Sequence, residues 1–166
     1  MLKPATPSDF SFFYGLYMHP EINPYLLYEQ MSEESFVPIF EDLLHQKVLF
    51  VYYSDEQPAG MCKLVPQKHR NAHSFYLGGV AIHPQFSGRG HGLQMMKEIL
   101  EYAKQQNCRR IELSTAAVNE KALRLYERAG FEREGLLRNY TWFRPENRYI
   151  DEILMSWLDK EYFDKL

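Results

Sequence analysis

Val80–Gly92 reads Val-Ala-Ile-His-Pro-Gln-Phe-Ser-Gly-Arg-Gly-His-Gly, and this stretch joins a predicted strand to a predicted helix. Glycine occupies alternate positions at Gly88, Gly90 and Gly92, where the lack of a Cβ lets backbone amides turn toward one ligand. Apolar residues then follow at the spacing of one helical face, so the positive end of a helix points into the turn. The stretch therefore predicts a binding turn for a pyrophosphate.

Two familiar phosphate-binding turns do not fit this stretch. The dinucleotide fingerprint requires glycine where this chain has Leu93, and the mononucleotide loop requires a Gly-Lys-Ser or Gly-Lys-Thr run that the chain lacks. A glycine-rich turn that binds no ligand is the plain structural alternative.

The pattern Val-x-x-x-Pro-x-Phe-x-Gly-Arg-Gly-x-Gly, followed by an amphipathic helix, resembles the acyl-CoA signature of the GNAT superfamily of N-acetyltransferases. In that family the amides of the turn hold the CoA pyrophosphate, and the pantetheine arm pairs with the backbone of the preceding strand. The resemblance implies acetyl-CoA as cosubstrate and contacts from Val80, Ala81, Ile82, Ser87, Gly88, Arg89, Gly90, His91 and Gly92. The family usually has Arg or Gln at the position of Ser87, so we expect weaker CoA binding here.

Size and composition limit the class of protein. A chain of 166 residues with 45% hydrophobic residues can bury one substantial core, and we expect one domain over residues 1–166. The net charge of -3 gives no general basic field for nucleic acid. No apolar run approaches a membrane span and no signal peptide is recognisable, so we expect a cytoplasmic protein without membrane contact. Cys62 and Cys108 lack paired spacing, which predicts neither a disulfide nor a metal site.

Periodicity and turn residues predict alternating strands and helices along the chain. A strand, a long helix and a second strand follow one another through the glycine turn, and such a crossover gives a parallel pair. The resemblance implies a GNAT fold, an α/β architecture with a mixed twisted sheet of about seven strands, helices on both faces and a splayed central strand pair. The predicted strands are 2–5, 48–54, 61–66, 74–82, 110–115, 131–141 and 149–158, and the predicted helices start near residues 8, 32, 90 and 119.

A second motif, Asn-x-x-Ala-x-x-Leu-Tyr-x-x-x-Gly-Phe over Asn119–Phe131, resembles the GNAT motif that follows the fifth strand. The resemblance implies that Tyr126 is the general acid and that Asn119 reaches the pantetheine or an ordered water. A phenol is protonated at neutral pH and can protonate a departing thiolate, although the reference pKa values make that transfer mildly uphill. A buried core tyrosine and a helix N-cap are the structural alternatives, and the two roles of Asn119 are compatible.

The general base is less clear from the sequence. The strand that often supplies a Glu in these enzymes has no carboxylate here. His73 precedes that strand and titrates near neutrality, so it is the single candidate we name, with a surface histidine as the alternative. Glu112, Tyr76 and a water chain also remain open. A backbone amide near Val80 is expected to polarise the thioester carbonyl.

The C-terminal third of the chain resembles GNAT enzymes that acetylate free amino acids and related small amines, or protein N-termini. We expect transfer from acetyl-CoA to a primary amine of a small molecule by direct attack in a ternary complex. The alternatives are an acetyltransferase of protein N-termini and a non-catalytic acyl-CoA-binding module. Arg138, Arg144 and Arg148 are candidates for pairing with a substrate carboxylate, against a solvated hairpin surface. Exposed sheet edges near the last strands make a homodimer a further possibility.

Overall fold

The computed structural model describes residues 1–166, which form seven strands and five α-helices. The strands are β1 (Leu2–Pro4), β2 (Leu49–Ser54), β3 (Gln57–Pro66), β4 (Ser74–Ile82), β5 (Arg110–Ala116), β6 (Glu132–Phe143) and β7 (Arg148–Leu158). The helices are α1 (Phe10–Tyr17), α2 (Glu33–His45), α3 (His91–Gln105), α4 (Glu120–Arg128) and α5 (Lys160–Phe163). Hydrogen bonds join the strands in the order β1-β2-β3-β4-β5-β7-β6, which makes an open sheet. The predicted seven-stranded α/β fold is confirmed.

The parallel pair of the mixed sheet is formed by β4 and β5. Their register comprises Ser74–Tyr76 opposite Arg110–Glu112. Both strands continue beyond this register, to Ile82 and Ala116. The predicted mixed sheet with a parallel pair is confirmed, and the splay of this pair stays a prediction.

The chain divides into two compact units. Unit 1 comprises Met1–Val65 and Gly78–Glu98, and unit 2 comprises Pro66–Leu77 and Ile99–Leu166. Each unit combines two separate segments of the chain, so the units do not correspond to two successive sequence domains. A single domain over residues 1–166 stays a prediction.

Unit 1 has an aromatic core. The apolar residues of α1 repeat at helical spacing, so Phe13, Leu16 and Tyr17 are each at most 1% exposed. They pack with Phe36, Phe40, Leu43, Val48, Leu49, Val51, Met61 and Ala81. The helix α2 starts as the sequence predicts, because the Ser32 hydroxyl accepts the N–H of Ser35 at 3.3 Å.

Unit 2 contains the antiparallel strands β5, β7 and β6. On β5, the alternate residues Ile111 and Leu113 are buried, and so are Trp157 and Met155, which lie opposite them on β7. Side chains of a strand alternate between its two faces. The even-numbered residues of β5 and β7 therefore share the other face of the sheet. On β5, the first three of them are polar or charged, namely Arg110, Glu112 and Ser114.

The last two strands form an antiparallel pair, in which β6 is irregular. Its register against β7 shifts between Arg133 and Gly135 and again between Leu137 and Thr141. At the second shift Asn139 has φ +49°, a left-handed conformation that Asn adopts more readily than most residues. The Asn139 N–H donates to Asp151 Oδ1 at 2.7 Å. This hydrogen bond satisfies a backbone group that the shifted ladder leaves without a strand partner.

Three further observations concern the cysteines, the possible metal ligands and the length of the helices. Cys62 and Cys108 are buried, and neither forms a disulfide. No group of three or more His, Cys, Asp or Glu side chains is arranged to hold a metal ion. None of the helices has both the length and the apolar character needed to span a bilayer.

Candidate active site

Two glycines of the turn in unit 1 have a left-handed backbone conformation and open space beside them. Gly88 and Gly90 have φ of +75° and +82°, and no atom lies within 4 Å of the position that a Cβ would occupy at either residue. The first helical hydrogen bond of α3 runs from the Gln94 N–H to the Gly90 carbonyl at 3.1 Å. The N–H groups just before Gln94 have no carbonyl one turn earlier to bind. The turn therefore presents backbone donors and the positive end of a helix to the same space.

Aromatic and imidazole side chains fix the turn from within unit 1. The Tyr52 hydroxyl lies 3.3 Å from His91 Nδ1, and the rings of His91 and Phe86 meet edge to face at 5.5 Å. His83 Nδ1 accepts the N–H of Gln85 at 3.3 Å. The predicted contact residues Ser87, Gly88, Arg89 and Gly90 are exposed, whereas His91 and Gly92 are half-buried. The exposed part of the turn is thus the part that a ligand can reach.

The strand β4 departs from regular geometry at Gly79, where φ is +57°. A Cβ added to Gly79 would lie 2.6 Å from the Tyr17 hydroxyl oxygen and 3.8 Å from Lys63 Cβ. Glycines inside a strand indicate a bulge or a close approach by another backbone or a ligand, whereas the group that approaches Gly79 here is the side chain of Tyr17. Of the predicted pantetheine contacts that follow, Ala81 is buried in the core, and Val80 and Ile82 are half-buried.

Tyr17 reaches Gly79 from a tightly packed position in unit 1. Its ring centroid lies 5.3 Å from that of Tyr28 and 5.4 Å from that of Phe36. Burial, with a smaller effect of Tyr28, raises the pKa of the Tyr17 phenol far above its ordinary value. Tyr17 thus packs in the core of unit 1 and also contacts the strand at Gly79.

The ammonium of Lys63 lies beside the same aromatic group. Lys63 Nζ is 5.9 Å from the centroid of the Tyr28 ring. Burial lowers the pKa of Lys63, because a partly buried ammonium is less well solvated than an exposed one. The neighbourhood of Gly79 in unit 1 thus combines two phenols and one amine.

In unit 2, the second motif forms α4 and the turn after it. Asn119 is the N-cap of α4, and its Oδ1 accepts the N–H of Ala122 at 3.2 Å. Tyr126 is 7% exposed, and its ring centroid lies 5.9 Å from that of Phe131. Gly130 ends the helix with φ +96°, which favours glycine. Asn119 is thus a helix N-cap and Tyr126 a buried core tyrosine, which are the structural alternatives named from the sequence. Their roles toward a ligand stay predictions.

His73 lies at the beginning of β4. It is exposed, and its carbonyl accepts the N–H groups of Arg109 at 2.7 Å and Arg110 at 3.3 Å. Asn119 follows the other end of β5, and the six residue steps from Arg110 to Ala116 span about 20 Å of extended chain. The structure therefore does not bring His73 to the strand end that carries Asn119. A base role for His73 stays a prediction, and its position does not favour it.

A compensated charge cluster occupies the polar face of β5, β6 and β7 in unit 2. The Arg110 guanidinium binds Glu134 at 2.6 Å and Glu112 at 3.3 Å. The Ser156 hydroxyl donates to Glu134 at 2.6 Å. The hydrogen bonds from Arg110 and Ser156 lower the pKa of Glu134 to about 2. Glu112, one of the alternatives for the base, thus shares an arginine with a second carboxylate.

A second polar cluster on this face is centred on Glu152, which the sequence reasoning missed. Its carboxylate accepts hydrogen bonds from the hydroxyls of Ser114 on β5 and Thr141 on β6. Burial raises the pKa of the phenol of Tyr76, another alternative for the base; the Ser114 hydroxyl opposes this increase, and the charge of Glu152 adds to it. The sequence signal for this cluster was the alternation of side chains along β5 and β7, which puts Ser114 and Glu152 on the same face of the sheet.

The arginines named as candidates for a substrate carboxylate are all exposed. Arg148 Nε binds Glu146 at 2.5 Å, so an acidic neighbour already occupies this guanidinium. Arg138 lines an open groove of about 600 Å³ formed by residues 136–140. Arg144 also has an interaction partner. Binding of a carboxylate by any of the three stays a prediction.

An open mixed sheet whose central strand enters a helix through an amide-lined turn defines an α/β protein able to receive an anionic ligand. A sequence profile of the acetyltransferase (GNAT) family matches residues 10–131, most of the chain. The chain therefore belongs to the GNAT family.

Two curated relatives match part of the chain. An uncharacterized N-acetyltransferase of Methanocaldococcus jannaschii is 33% identical over 69 residues, which are 42% of this chain and 30% of that protein. The N-alpha-acetyltransferase RimI of Mycobacterium tuberculosis is 34% identical over 61 residues, which are 37% of each chain. The chain thus spans about a third of the length of these relatives.

The fold is shared with a solved acetyltransferase. The crystal structure of spermidine N-acetyltransferase from Vibrio cholerae in complex with CoA and spermine has a TM-score of 0.84 to this chain. The sequences are 24% identical, and the match covers 98% of this chain and 97% of the other. At this identity the likeness establishes the fold alone.

Proposed function

We propose that this chain is an acetyl-CoA-dependent N-acetyltransferase that acylates a primary amine of a small molecule, such as an amino acid or a related amine. The observation that carries the proposal is the glycine turn, whose backbone donors and helix N-terminus face exposed space. Membership of the GNAT family supports the same activity. Transfer is by direct attack of the amine in a ternary complex.

The residues of the turn fit the diphosphate of CoA. Gly88 and Gly90 have left-handed φ, and a ligand can approach both closely because no side chain lies nearby. In our proposal the residues from Ser87 to Gly92 hold the diphosphate through main-chain N–H groups. The backbone of residues 80–82 receives the pantetheine arm, and the bound molecule supplies the acetyl thioester.

Two groups of the chain have proposed roles at the thioester. An N–H near Val80 donates to the carbonyl oxygen, where negative charge develops during attack. Tyr126 donates its phenolic proton to the departing thiolate. The amine forms the new C–N bond as the C–S bond breaks, and the proton that the amine loses goes to solvent or to a base.

The acceptor has two candidate classes. A small amine is supported by the shared fold with a spermidine N-acetyltransferase, whose crystal contains spermine. A protein N-terminus is supported by the similarity to an N-alpha-acetyltransferase, and it is the second candidate. We further propose a cytoplasmic location, no nucleic-acid or membrane partner, and a homodimer formed through the exposed sheet edges.

The activity is tested by release of free CoA from acetyl-CoA with a panel of acceptors. The panel contains amino acids, spermidine, an aminoglycoside and peptides with free N-termini. Turnover with the small amines supports the first candidate, and turnover restricted to peptides supports the second. CoA binding measured by calorimetry without turnover on any acceptor would instead indicate a non-catalytic acyl-CoA-binding module.

The role of Tyr126 is tested by Tyr126→Phe. General acid catalysis typically contributes about 100-fold or more to a rate, so we expect kcat to fall by about 100-fold while the Kd for CoA is unchanged. Tyr162→Phe on α5 is the matched control, since it removes a phenol from the same unit outside the proposed machinery. Unaltered kcat in Tyr126→Phe would remove this residue from the mechanism.

A further inference from the structure

The buried phenol of Tyr17 has no hydrogen-bond partner within the chain. Burial and the neighbouring Tyr28 and Cys62 raise its pKa, and no hydrogen bond contributes to the change. A buried tyrosine hydroxyl usually has a partner, as Tyr14 does, which donates to the Met31 carbonyl at 3.0 Å. Every fully buried side-chain oxygen or nitrogen of the chain is hydrogen-bonded, so the unpaired oxygen of Tyr17 must be in contact with the exterior.

The half-buried ammonium of Lys63 has no carboxylate beside it. Lys63 Nζ lies 5.9 Å from the centroid of the Tyr28 ring, which attracts a cation without neutralising it. Burial lowers the pKa of this amine, and no neighbouring carboxylate opposes the change. A partly buried charge without a counter-ion costs free energy, which a bound anion would offset.

These two side chains meet at Gly79 on β4. The position of a Cβ on Gly79 lies 2.6 Å from the Tyr17 oxygen and 3.8 Å from Lys63 Cβ. The ring of Tyr28 adjoins both, since its centroid is 5.3 Å from that of Tyr17. An O–H donor and a positively charged N–H donor therefore belong to one small region of the strand. A carboxylate, with a negative charge and two acceptor oxygens, is complementary to this pair.

The position of Gly79 in unit 1 agrees with a substrate role. Gly79 directly precedes Val80, which we have proposed to contact the thioester carbonyl. The amine of an α-amino acid is joined to its carboxylate through a single carbon. A carboxylate held beside Gly79 would thus keep the amine close to Val80. Tyr17, Lys63, Gly79 and Val80 all belong to unit 1.

We infer that Tyr17 and Lys63 bind the carboxylate of the acceptor. The inference rests on the proposed function and narrows its small-molecule acceptors to amino acids and other amines that carry a carboxylate. Lys63 supplies the opposite charge, and Tyr17 supplies a hydrogen bond that orients the carboxylate. Amines without a carboxylate, such as spermidine, do not engage this pair.

The test compares amino acids with their carboxamides, in which the negative charge is removed. The probe acceptors are L-alanine, L-leucine and L-phenylalanine, each beside its carboxamide, and the measured quantity is the KM of the carboxamide divided by that of the amino acid. A hydrogen bond to a charged group typically changes affinity about 10- to 100-fold. We expect Lys63→Met to lower this ratio by about that factor. Tyr17→Phe keeps the charge and should lower it less.

Lys3→Met is the matched control. Lys3 also lies over a tyrosine ring of unit 1, with Nζ 5.0 Å from the centroid of Tyr53, but it is exposed. Its removal should leave the ratio of KM values unchanged. Lys63→Gln removes the same charge with a polar side chain and should have the same effect as Lys63→Met.

The outcomes separate this inference from the proposed function. If the two Lys63 variants are active and leave the ratio unchanged, the inference is wrong and the proposed function stands. Turnover of spermidine without turnover of any amino acid has the same meaning. If the native chain acetylates no acceptor, the proposed function fails, and calorimetric titration of the same probes in the presence of CoA decides the inference. Equal affinity of the native chain and Lys63→Met for the amino acids, or no binding to either, would overturn it.

Discussion

Replacing Gly79 by Ala is expected to destabilise the chain through its contact with Tyr17. The added Cβ would lie 2.6 Å from the Tyr17 hydroxyl oxygen, whereas ordinary contacts begin at 3.4 Å. Tyr17 has little room to move, since it is 1% exposed and packs against Tyr28 and Phe36. Overpacking of this kind costs about 1–3 kcal/mol. The left-handed φ of +57° adds about 1–2 kcal/mol for a residue with a Cβ.

Tyr17→Phe separates these two contributions. It removes the atom at 2.6 Å, and the nearest ring carbon lies at 3.5 Å, an ordinary contact. In the Tyr17→Phe background we therefore expect Gly79→Ala to cost only the backbone contribution of about 1–2 kcal/mol. The coupling energy between the two substitutions is then about 1–3 kcal/mol.

Urea denaturation of the native chain, both single variants and the double variant measures this coupling. The slope of each transition must stay constant for the free energies of unfolding to be comparable. If Gly79→Ala costs the same in both backgrounds to within about 0.5 kcal/mol, the clash with Tyr17 is not the cause of the destabilisation. The close approach would then have no energetic role.

Two further predictions concern charge. Arg110 and Ser156 lower the pKa of Glu134 from 4.5 to about 2, so this cluster stabilises the chain above pH 4.5 and loses that effect as the pH falls toward 2. The Glu134 side chain is 35% exposed, so the effect is below about 1 kcal/mol, and urea denaturation as a function of pH should show it in the native chain but not in Glu134→Gln. Ser87→Arg should tighten CoA binding by up to about fivefold in low-salt calorimetry, because a guanidinium is placed beside the diphosphate turn. Gln105→Arg, at the other end of α3, adds the same charge and should leave the affinity unchanged.

The sequence predicted those helices and strands whose hydrophobic periodicity fits only one type of secondary structure. The glycine turn, α3 and β5 follow from alternate glycines and a clear change from period two to helical spacing. The strands β2 and β3, predicted over residues 48–54 and 61–66, follow from β-branched and aromatic residues on either side of a polar turn, and they pair antiparallel. These signals are local, so one sequence suffices to read them.

The sequence did not predict features that depend on partners distant in the chain. At the register shift before Thr141, the Asn139 N–H donates to the carboxylate of Asp151, which lies on the next strand. Glu152 accepts a hydrogen bond from Ser114, which lies 38 positions earlier in the chain. The short helix α5 also escaped prediction, and its cap is Asp159. Such contacts require the strand order, which hydrophobic periodicity does not specify.

The candidate site was predicted unevenly for the same reason. Backbone features of the turn were predictable because glycine at a given position limits the conformation itself. The choice of a base was not, because proximity between a side chain and a strand end depends on tertiary placement. His73 is close to β4 in sequence, yet it lies at the end of the strand pair next to Arg110.

Because Asn119 caps α4, only part of its side-chain amide can bind another molecule. Since the Ala122 N–H is a donor, the atom of Asn119 that faces it must be the amide oxygen, which removes the usual ambiguity between its oxygen and nitrogen. The two amide hydrogens are then the groups directed elsewhere. Any molecule recognised by Asn119 through these hydrogens must present a lone pair, such as a carbonyl oxygen, rather than a hydrogen of its own.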